Sequence, residues 1–307
     1  MDVVGLATVA MDVIMQVDEL PKEDGFAIIH KSTYLPGGSG TNVITQISRL
    51  TGKCGFIAQI GDDEIGREIK SSIVNERIDE HGLRIIPHGT SLHTQIVVGS
   101  NGRKFILLNI GDAFMGLKEE DVDISYLTQG KIFYTDFLPG KPALHALKEA
   151  KKHGMTTVFN LQLGMNTMEN LGISKEMVLE ALPYVDIFAP CQGGFYQLCE
   201  TDDLVEARKY IRKYFSNLLL VTLGSEGSVA FNKQDKKFFE PIYPAEVVDT
   251  TGAGDSYLGA FIYSYLIACR PLQEAMQFAT VCAAFTCGHI GARSGPTLAE
   301  AGRIIKK

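Results

Sequence analysis

Residues Val247 to Phe261 read VVDTTGAGDSYLGAF. Two valines close a strand-like run, and three small residues, Gly252-Ala253-Gly254, follow. From about Asp255 the pattern turns helical, with Leu258, Phe261, Ile262 and Tyr265 as its apolar face. The first turn of such a helix leaves backbone N–H groups without intrahelical acceptors. With the helix dipole they favour an anion. A phosphoryl group in transfer spreads its charge over its equatorial oxygens and needs such donors. Gly252, Ala253 and Gly254 are candidates to hold that charge. Asp255, at the mouth of the turn, is a candidate to accept the proton of an attacking hydroxyl. A helix-capping aspartate after an ordinary turn gives the same Gly-x-Gly-Asp.

Outward from this turn the chain alternates buried runs with amphipathic ones. VVGLATV at the N-terminus, CGFIAQIG, KIFYTDF, TTVFNLQ, DIFAP and NLLLVTLG read as strands. Thr41 to Leu50, IGREIKSSIVNERI, ALHALKEAKKHG, KEMVLEALPYV and LVEARKYIRKYFS read as helices. The pattern predicts an α/β fold: a Rossmann-like, three-layer α/β/α domain with a parallel sheet covered on both faces. Gly25 to Leu35 and Leu92 to Ile110 break the rhythm. The second contains Asn101-Gly102 between strand-like runs, a type I′ hairpin signal. Together they predict a small separate sheet. Asp136 (FYTDF) and Asn160 (FNLQ) follow strand ends, where open α/β sheets bind ligands.

The bulk properties exclude several classes. The 307 residues allow one or two domains, and 45% apolar content suffices for a large core. With 29 basic and 36 acidic residues the net charge is −7, which argues against broad nucleic-acid or anionic-membrane binding. The N-terminus lacks a basic start, and acidic residues break its apolar run, so it reads as neither signal peptide nor membrane helix. Cys54, Cys191, Cys199, Cys269, Cys282 and Cys287 form no Cys-x-x-Cys pair and have no zinc spacing. Reduced thiols in a cytoplasmic protein are the expectation. VVGLATVAMD stands where a dehydrogenase would carry Gly-x-Gly-x-x-Gly, which excludes a dinucleotide-binding fingerprint.

The full string DTTGAGDSYLGAF resembles the signature of the ribokinase (PfkB) family of carbohydrate kinases. GLATVAMD, GGSGTN, GDDEIGREI, TLGSEGSV and FATVCAAFTCGHIGARSGP follow the family's order over nearly the whole chain. The resemblance implies one kinase domain, residues 1–307, with a β-sheet lid inserted at about 13–35 and 92–110. It implies an ATP-dependent phosphotransferase acting on a hydroxyl, a primary alcohol, of a sugar or nucleoside, with Mg²⁺ and a K⁺-like ion. It gives Asp12, Gly38 and Asn42 to substrate hydroxyls and Gly37-Gly38 to the lid hinge. Thr222, Gly224 and Gly227 fall to the nucleotide, together with Gly252 and Gly254. Asp249, Thr251, Gly291 and Ser294 fall to the monovalent cation. A homodimer through the lid is a further implication. Taken singly, Asp12 also reads as a turn aspartate, Gly37-Gly38 as a tight turn, Gly224 and Gly227 as a hairpin turn, and His289 as a satisfied histidine.

One departure stands out. Where the family carries Asn-x-x-Glu after DIFAP, this chain has Pro190-Cys191-Gln192-Gly193-Gly194. A thiol and a glycine do not replace an amide and a carboxylate as partners of a hard cation. The departure admits a second reading, a catalytically weak sugar or nucleoside sensor on the same fold. Arg103 and Lys104, at the hairpin tip, read as solvated rather than as partners of an acidic sugar.

Overall fold

The structure is a computed structural model that describes residues 1–101 and 103–305. Gly102, half of the expected hairpin turn, lies outside the described residues. In chain order the strands are β1 (Val3–Leu6), β2 (Ala10–Val17), β3 (Lys31–Gly37), β4 (Cys54–Gly61), β5 (Leu83–Ile86), β6 (His93–Gly99), β7 (Lys104–Asn109), β8 (Ile132–Thr135), β9 (Thr156–Phe159), β10 (Ile187–Phe188), β11 (Leu218–Thr222), β12 (Ser228–Phe231) and β13 (Lys237–Glu240). Five helices matter to the site: α1 (Ser39–Arg49), α2 (Glu64–Asn75), α3 (Gln192–Cys199), α4 (Ala253–Ile262) and α5 (Leu272–Cys287).

One sheet runs β13-β12-β11-β10-β9-β8-β1-β4-β5. Its pairs from β5 to β11 are parallel, and β12 and β13 add antiparallel. Every residue of β1, β4 and β8 is buried, which requires cover on both faces and explains their unbroken apolar runs. From β1 the chain passes first to β4 and β5, then returns to β8 on the other side of β1. The order therefore reverses between β1 and β8, and such a switch point opens a crevice at the carboxyl ends of the strands. Phe137, Phe159, Phe188 and Phe215 pack in a row, stacked, tilted and edge-on in turn, with ring centroids 4.8, 5.3 and 5.9 Å apart. Each such pair adds about 0.5–1.5 kcal/mol beyond its buried area.

The second sheet runs β3-β2-β6-β7. Its β6–β7 pair is the antiparallel hairpin expected across Asn101, and β2 pairs antiparallel with β3 and parallel with β6. It begins at Ala10, ahead of residue 13, because only Ala7 to Val9 separates β2 from β1. Asp12 is therefore a strand residue paired with Leu35 and Thr94, not a turn aspartate. Among the described residues no helix is long and apolar enough to cross a membrane.

Candidate active site

α4 starts at Ala253, earlier than the sequence pattern suggests. Gly252 makes the early start possible as an N-cap in the left-handed region, at φ 77°. A Cβ there would lie 2.2 Å from the Ala292 carbonyl oxygen, so no other residue fits the turn. No side chain caps the helix, and the amides of Gly254 and Asp255 meet no backbone acceptor among the described residues. These donors stay available for an anion. The helix is buried along its whole length from Ser256 to Ile262 rather than on one face. Tyr265 falls instead in a half-buried π-helical turn that follows it.

Asp255 sits in this first turn, half-buried. Ser39 Oγ donates to its Oδ1 at 2.5 Å, and Asn42 Nδ2 donates to its Oδ2 at 2.8 Å. Burial pushes its pKa up to about 6, against these two hydrogen bonds and the Arg293 charge, which pull it down. Each oxygen keeps acceptor capacity for a further proton. Both donors come from α1, which enters through Gly37-Gly38. Gly38 caps α1 at φ 85°, and a Cβ there would sit 2.7 Å from the Ala10 amide nitrogen. At Gly37 a Cβ would meet the Asp12 carboxylate at 2.7 Å. The glycine pair thus lets α1, β1 and the second sheet converge on one point. Asp12 accepts the Thr94 hydroxyl from β6.

Two cavities meet at Asp255's turn. One, of about 190 Å³, is lined by Asp255, Gly252, Asn160, Gln162, Cys191 and Thr222 among others. The second, of about 500 Å³, is mostly apolar, with Ile242, Tyr243, Val247, Ala283 and Ala284 in its wall. Its size suits a nucleoside-sized ligand. Thr222 and Gly254 line both. A Cβ on Gly254 would meet nothing within 4 Å, so neither packing nor a positive φ calls for glycine at this position. Gly224 and Gly227, at φ 60° and 103°, form the tight turn between β11 and β12, and both border the apolar cavity. The hairpin and ligand-facing readings of this turn therefore coincide.

Asp136 is otherwise placed. It is 1% exposed, and its carboxylate accepts the Thr8 amide at 3.0 and 3.1 Å, the Leu138 amide at 3.2 Å and Gln162 Nε2 at 2.9 Å. It clamps the ends of β1 and β8 across the switch point. Asn160 donates from Nδ2 to the Tyr134 hydroxyl at 3.1 Å and lines the smaller cavity. Cys191 caps α3: its Sγ accepts the Gly194 amide and donates to the Gln162 carbonyl, both at 3.3 Å. All six cysteines are free thiols.

Asp249, Thr251 and Gly291 come together. The Asp249 carboxylate accepts the Thr251 amide and hydroxyl at 2.9 and 2.6 Å and the Gly291 amide at 3.0 Å, and Thr251 chiefly holds it below the usual carboxylate range. Ser294 points elsewhere, donating to the Thr286 carbonyl at 3.3 Å. His289 stacks on Phe285 and bonds its carbonyl, the satisfied-histidine outcome. Ser39, Gln162 and Arg293 also reach this region, from stretches quoted above in which no local pattern singles out Gln162 or Arg293. Ser39 carried a weak signal, directly after the glycine pair.

The pfkB family carbohydrate kinase model matches residues 1–298. The chain is 28% identical over 290 residues to a 5-dehydro-2-deoxygluconokinase of Geobacillus kaustophilus (strain HTA426), covering 88% of this chain and 84% of that one. It is 27% identical over 288 residues to an ATP-dependent ribose-1-phosphate kinase of Halopiger xanaduensis, covering 93% and 92%. The fold superposes on Arabidopsis thaliana ribokinase complexed with ribose and ATP at a TM-score of 0.86 and 22% identity, covering 100% and 99%. With the two-sheet architecture and a helix-start aspartate between two cavities already in view, the match over nearly the whole length decides the matter: this chain belongs to the pfkB family of carbohydrate kinases.

Proposed function

We propose that the protein transfers the γ-phosphoryl group of ATP to a hydroxyl of a sugar or sugar-like substrate, with Asp255 as the base. The observation that carries this reading is the shared border of the two cavities. Thr222 and Gly254 lie between an apolar, nucleoside-sized space and a smaller, more polar one that holds an aspartate with spare acceptor capacity.

In this reading the adenosine of ATP occupies the apolar cavity, against the Gly224–Gly227 turn. Its terminal phosphate reaches the free amides of the α4 turn. The sugar lies below the second sheet, which acts as the lid, with Asp12 and Asn42 on its hydroxyls and Gly37-Gly38 as the hinge. An acceptor hydroxyl next to Asp255 gives its proton to a carboxylate oxygen while its own oxygen bonds to the γ-phosphorus. The bond from phosphorus to the β,γ-bridging oxygen breaks, and ADP leaves. The amides of Gly252, Gly254 and Asp255 face the charge on the equatorial oxygens, while that of Ala253 already donates to the Thr250 carbonyl. Ser39 and Asn42 keep the carboxylate aimed, and lid closure excludes water that would otherwise take the phosphoryl group.

Mg²⁺ would neutralise charge on the phosphates. Besides Asp255, the hard side-chain oxygens of the smaller cavity are the Thr222 hydroxyl and the amide oxygens of Asn160 and Gln162, whose nitrogens are used by Tyr134 and Asp136. They suit a cation held mainly by phosphate and water. Asp249, Thr251 and Gly291 are the group that fits a monovalent cation behind the turn, with Ser294 outside it. The exposed Ile106, Leu107 and Leu108 of edge strand β7 offer a second copy a pairing surface.

A nucleoside in place of a sugar would meet the same base. The thiol and glycine at Cys191 and Gly194 favour the sensor as a second reading. Coupled-enzyme measurement of ADP release, with Mg²⁺ and K⁺, across D-fructose, D-ribose, a 2-keto-3-deoxy sugar acid and adenosine separates them. Turnover of a sugar supports the kinase. Binding without ADP release on every compound supports the sensor.

A further inference from the structure

Arg293 lies in the loop after α5, near the end of the FATVCAAFTCGHIGARSGP stretch, and its guanidinium reaches the centre of the site. Nε donates to Asn42 Oδ1 at 2.9 Å, Nη2 to the Gly37 carbonyl at 2.8 Å, and Nη1 to Ser72 Oγ of α2 at 3.3 Å. Three directed bonds from one planar group fix three elements relative to each other. Its own backbone is held in turn. Arg49 Nη1 donates to the carbonyls of Arg293 and Gly295 at 2.5 and 3.1 Å, while Arg49 clasps Glu76 with two bonds at 2.9 and 2.5 Å.

The bond to Asn42 has a chemical consequence. An amide has a donor end and an acceptor end, and either can face a neighbour. A cation on Oδ1 forces Nδ2 toward Asp255, where it donates at 2.8 Å. Reversed, Asn42 would set a carbonyl oxygen against a carboxylate. We propose that Arg293 is a positioning residue for phosphoryl transfer: acting through Asn42 it fixes the orientation of Asp255, and through the Gly37 carbonyl it anchors the glycine hinge to the same point. This inference rests on the reading of Asp255 as base. It assigns to one arginine the coupling between hinge and base.

The charges that face Arg293 are Glu76, Arg49, Asp255 and Asp12, and Glu68 shares the cavity beside it. Burial lowers the guanidinium to about 10, so it stays protonated at neutral pH. Asp255 feels this cation, and Asp136 and Tyr134 in turn feel the Asp255 charge. Removing the cation disfavours the ionised carboxylate and moves the acid limb of the rate profile to higher pH.

The test is steady-state kinetics against pH for Arg293→Lys and Arg293→Met, with whichever panel compound is turned over fastest. Arg293→Lys keeps the charge but loses the fork: kcat falls roughly tenfold or more, KM for ATP stays within about twofold, and the acid limb stays in place. Arg293→Met loses both, so kcat falls similarly and the limb rises by about one pH unit. Parental kcat and an unmoved limb in Arg293→Met overturn the proposal. Should that variant not fold, Arg293→Lys in an Asn42→Ala background decides. A further loss clearly smaller than that of Arg293→Lys alone is expected, because the Asn42 route is already gone, and fully multiplying losses overturn the proposal. Asp255→Asn, run alongside, separates the failures. Retained turnover there removes the base itself, whereas a dead Asp255→Asn with a silent Arg293 removes only the positioning role.

Discussion

Two aspartates stand at the site, and both are pushed by burial to about 6. Asp136, past the end of β8, is sealed and surrounded by donors from its own chain. Asp255, in the first turn of α4, holds two side-chain donors and opens onto a cavity. The raised pKa therefore does not distinguish them. Unused acceptor capacity facing an accessible space does. One carboxylate joins strand ends at the switch point, and the other is free to take a proton. Asp136, a candidate for substrate hydroxyls by its strand-end position, has a carboxylate already taken by donors of its own chain.

The largest expected difference is in turnover. Asp255→Asn should keep nucleotide binding and lose phosphoryl transfer by roughly a thousandfold, whichever hydroxyl is the acceptor. Isothermal titration with ATP beside the coupled assay checks both halves. A residual rate near the parent's would erase the contrast.

Asp136→Ala should do the converse. It leaves the amides of Thr8 and Leu138 and the Gln162 side chain without their acceptor. Orphaned buried donors should cost about 2–4 kcal/mol of stability, read as a lower urea midpoint. Turnover per folded molecule should fall far less than in Asp255→Asn. A large kcat defect at parental stability would instead return Asp136 to the substrate.

A smaller effect has the opposite sign. Asp255 has a folded pKa of about 6 against an ordinary 3.8. Its native state binds the proton more tightly than the unfolded chain, so stability falls as pH rises from about 3.8 to 6, and the penalty persists above. Asp255→Asn removes that penalty at pH 7.5 and should stabilise by about 1–3 kcal/mol, seen as a raised Tm. A lowered Tm would mean that the hydrogen bonds from Ser39 and Asn42 outweigh the cost of burying the charge.

The same contrast shows what was legible in the sequence. The strand-helix alternation and the turn at Gly252 to Asp255 were readable because they depend on neighbours within one element, whereas the strand expected to end at Val247-Val248 is absent and both valines are exposed. The second sheet was readable from Asn101 and the broken rhythm, though its start at Ala10 was hidden by the short gap after β1. The partners of Asp255 were not readable. Ser39 meets it across 216 positions, and Arg293 meets Asn42 across 251. Such bonds exist only after α1, α4 and the loop after α5 have packed, so no local pattern marks them. Asp136 is a related case. Its place at a strand end was visible, but the four hydrogen bonds that occupy it belong to the folded switch point.

The most direct test of the central claim is kcat/KM against pH for the parent beside Asp255→Asn. The parent should rise to a plateau through an acid limb near pH 6, the point to which burial raises Asp255. The variant should show a residual rate roughly a thousandfold lower with that limb gone. A limb near 6 that persists in Asp255→Asn at a near-parental rate would place the base elsewhere and contradict the account.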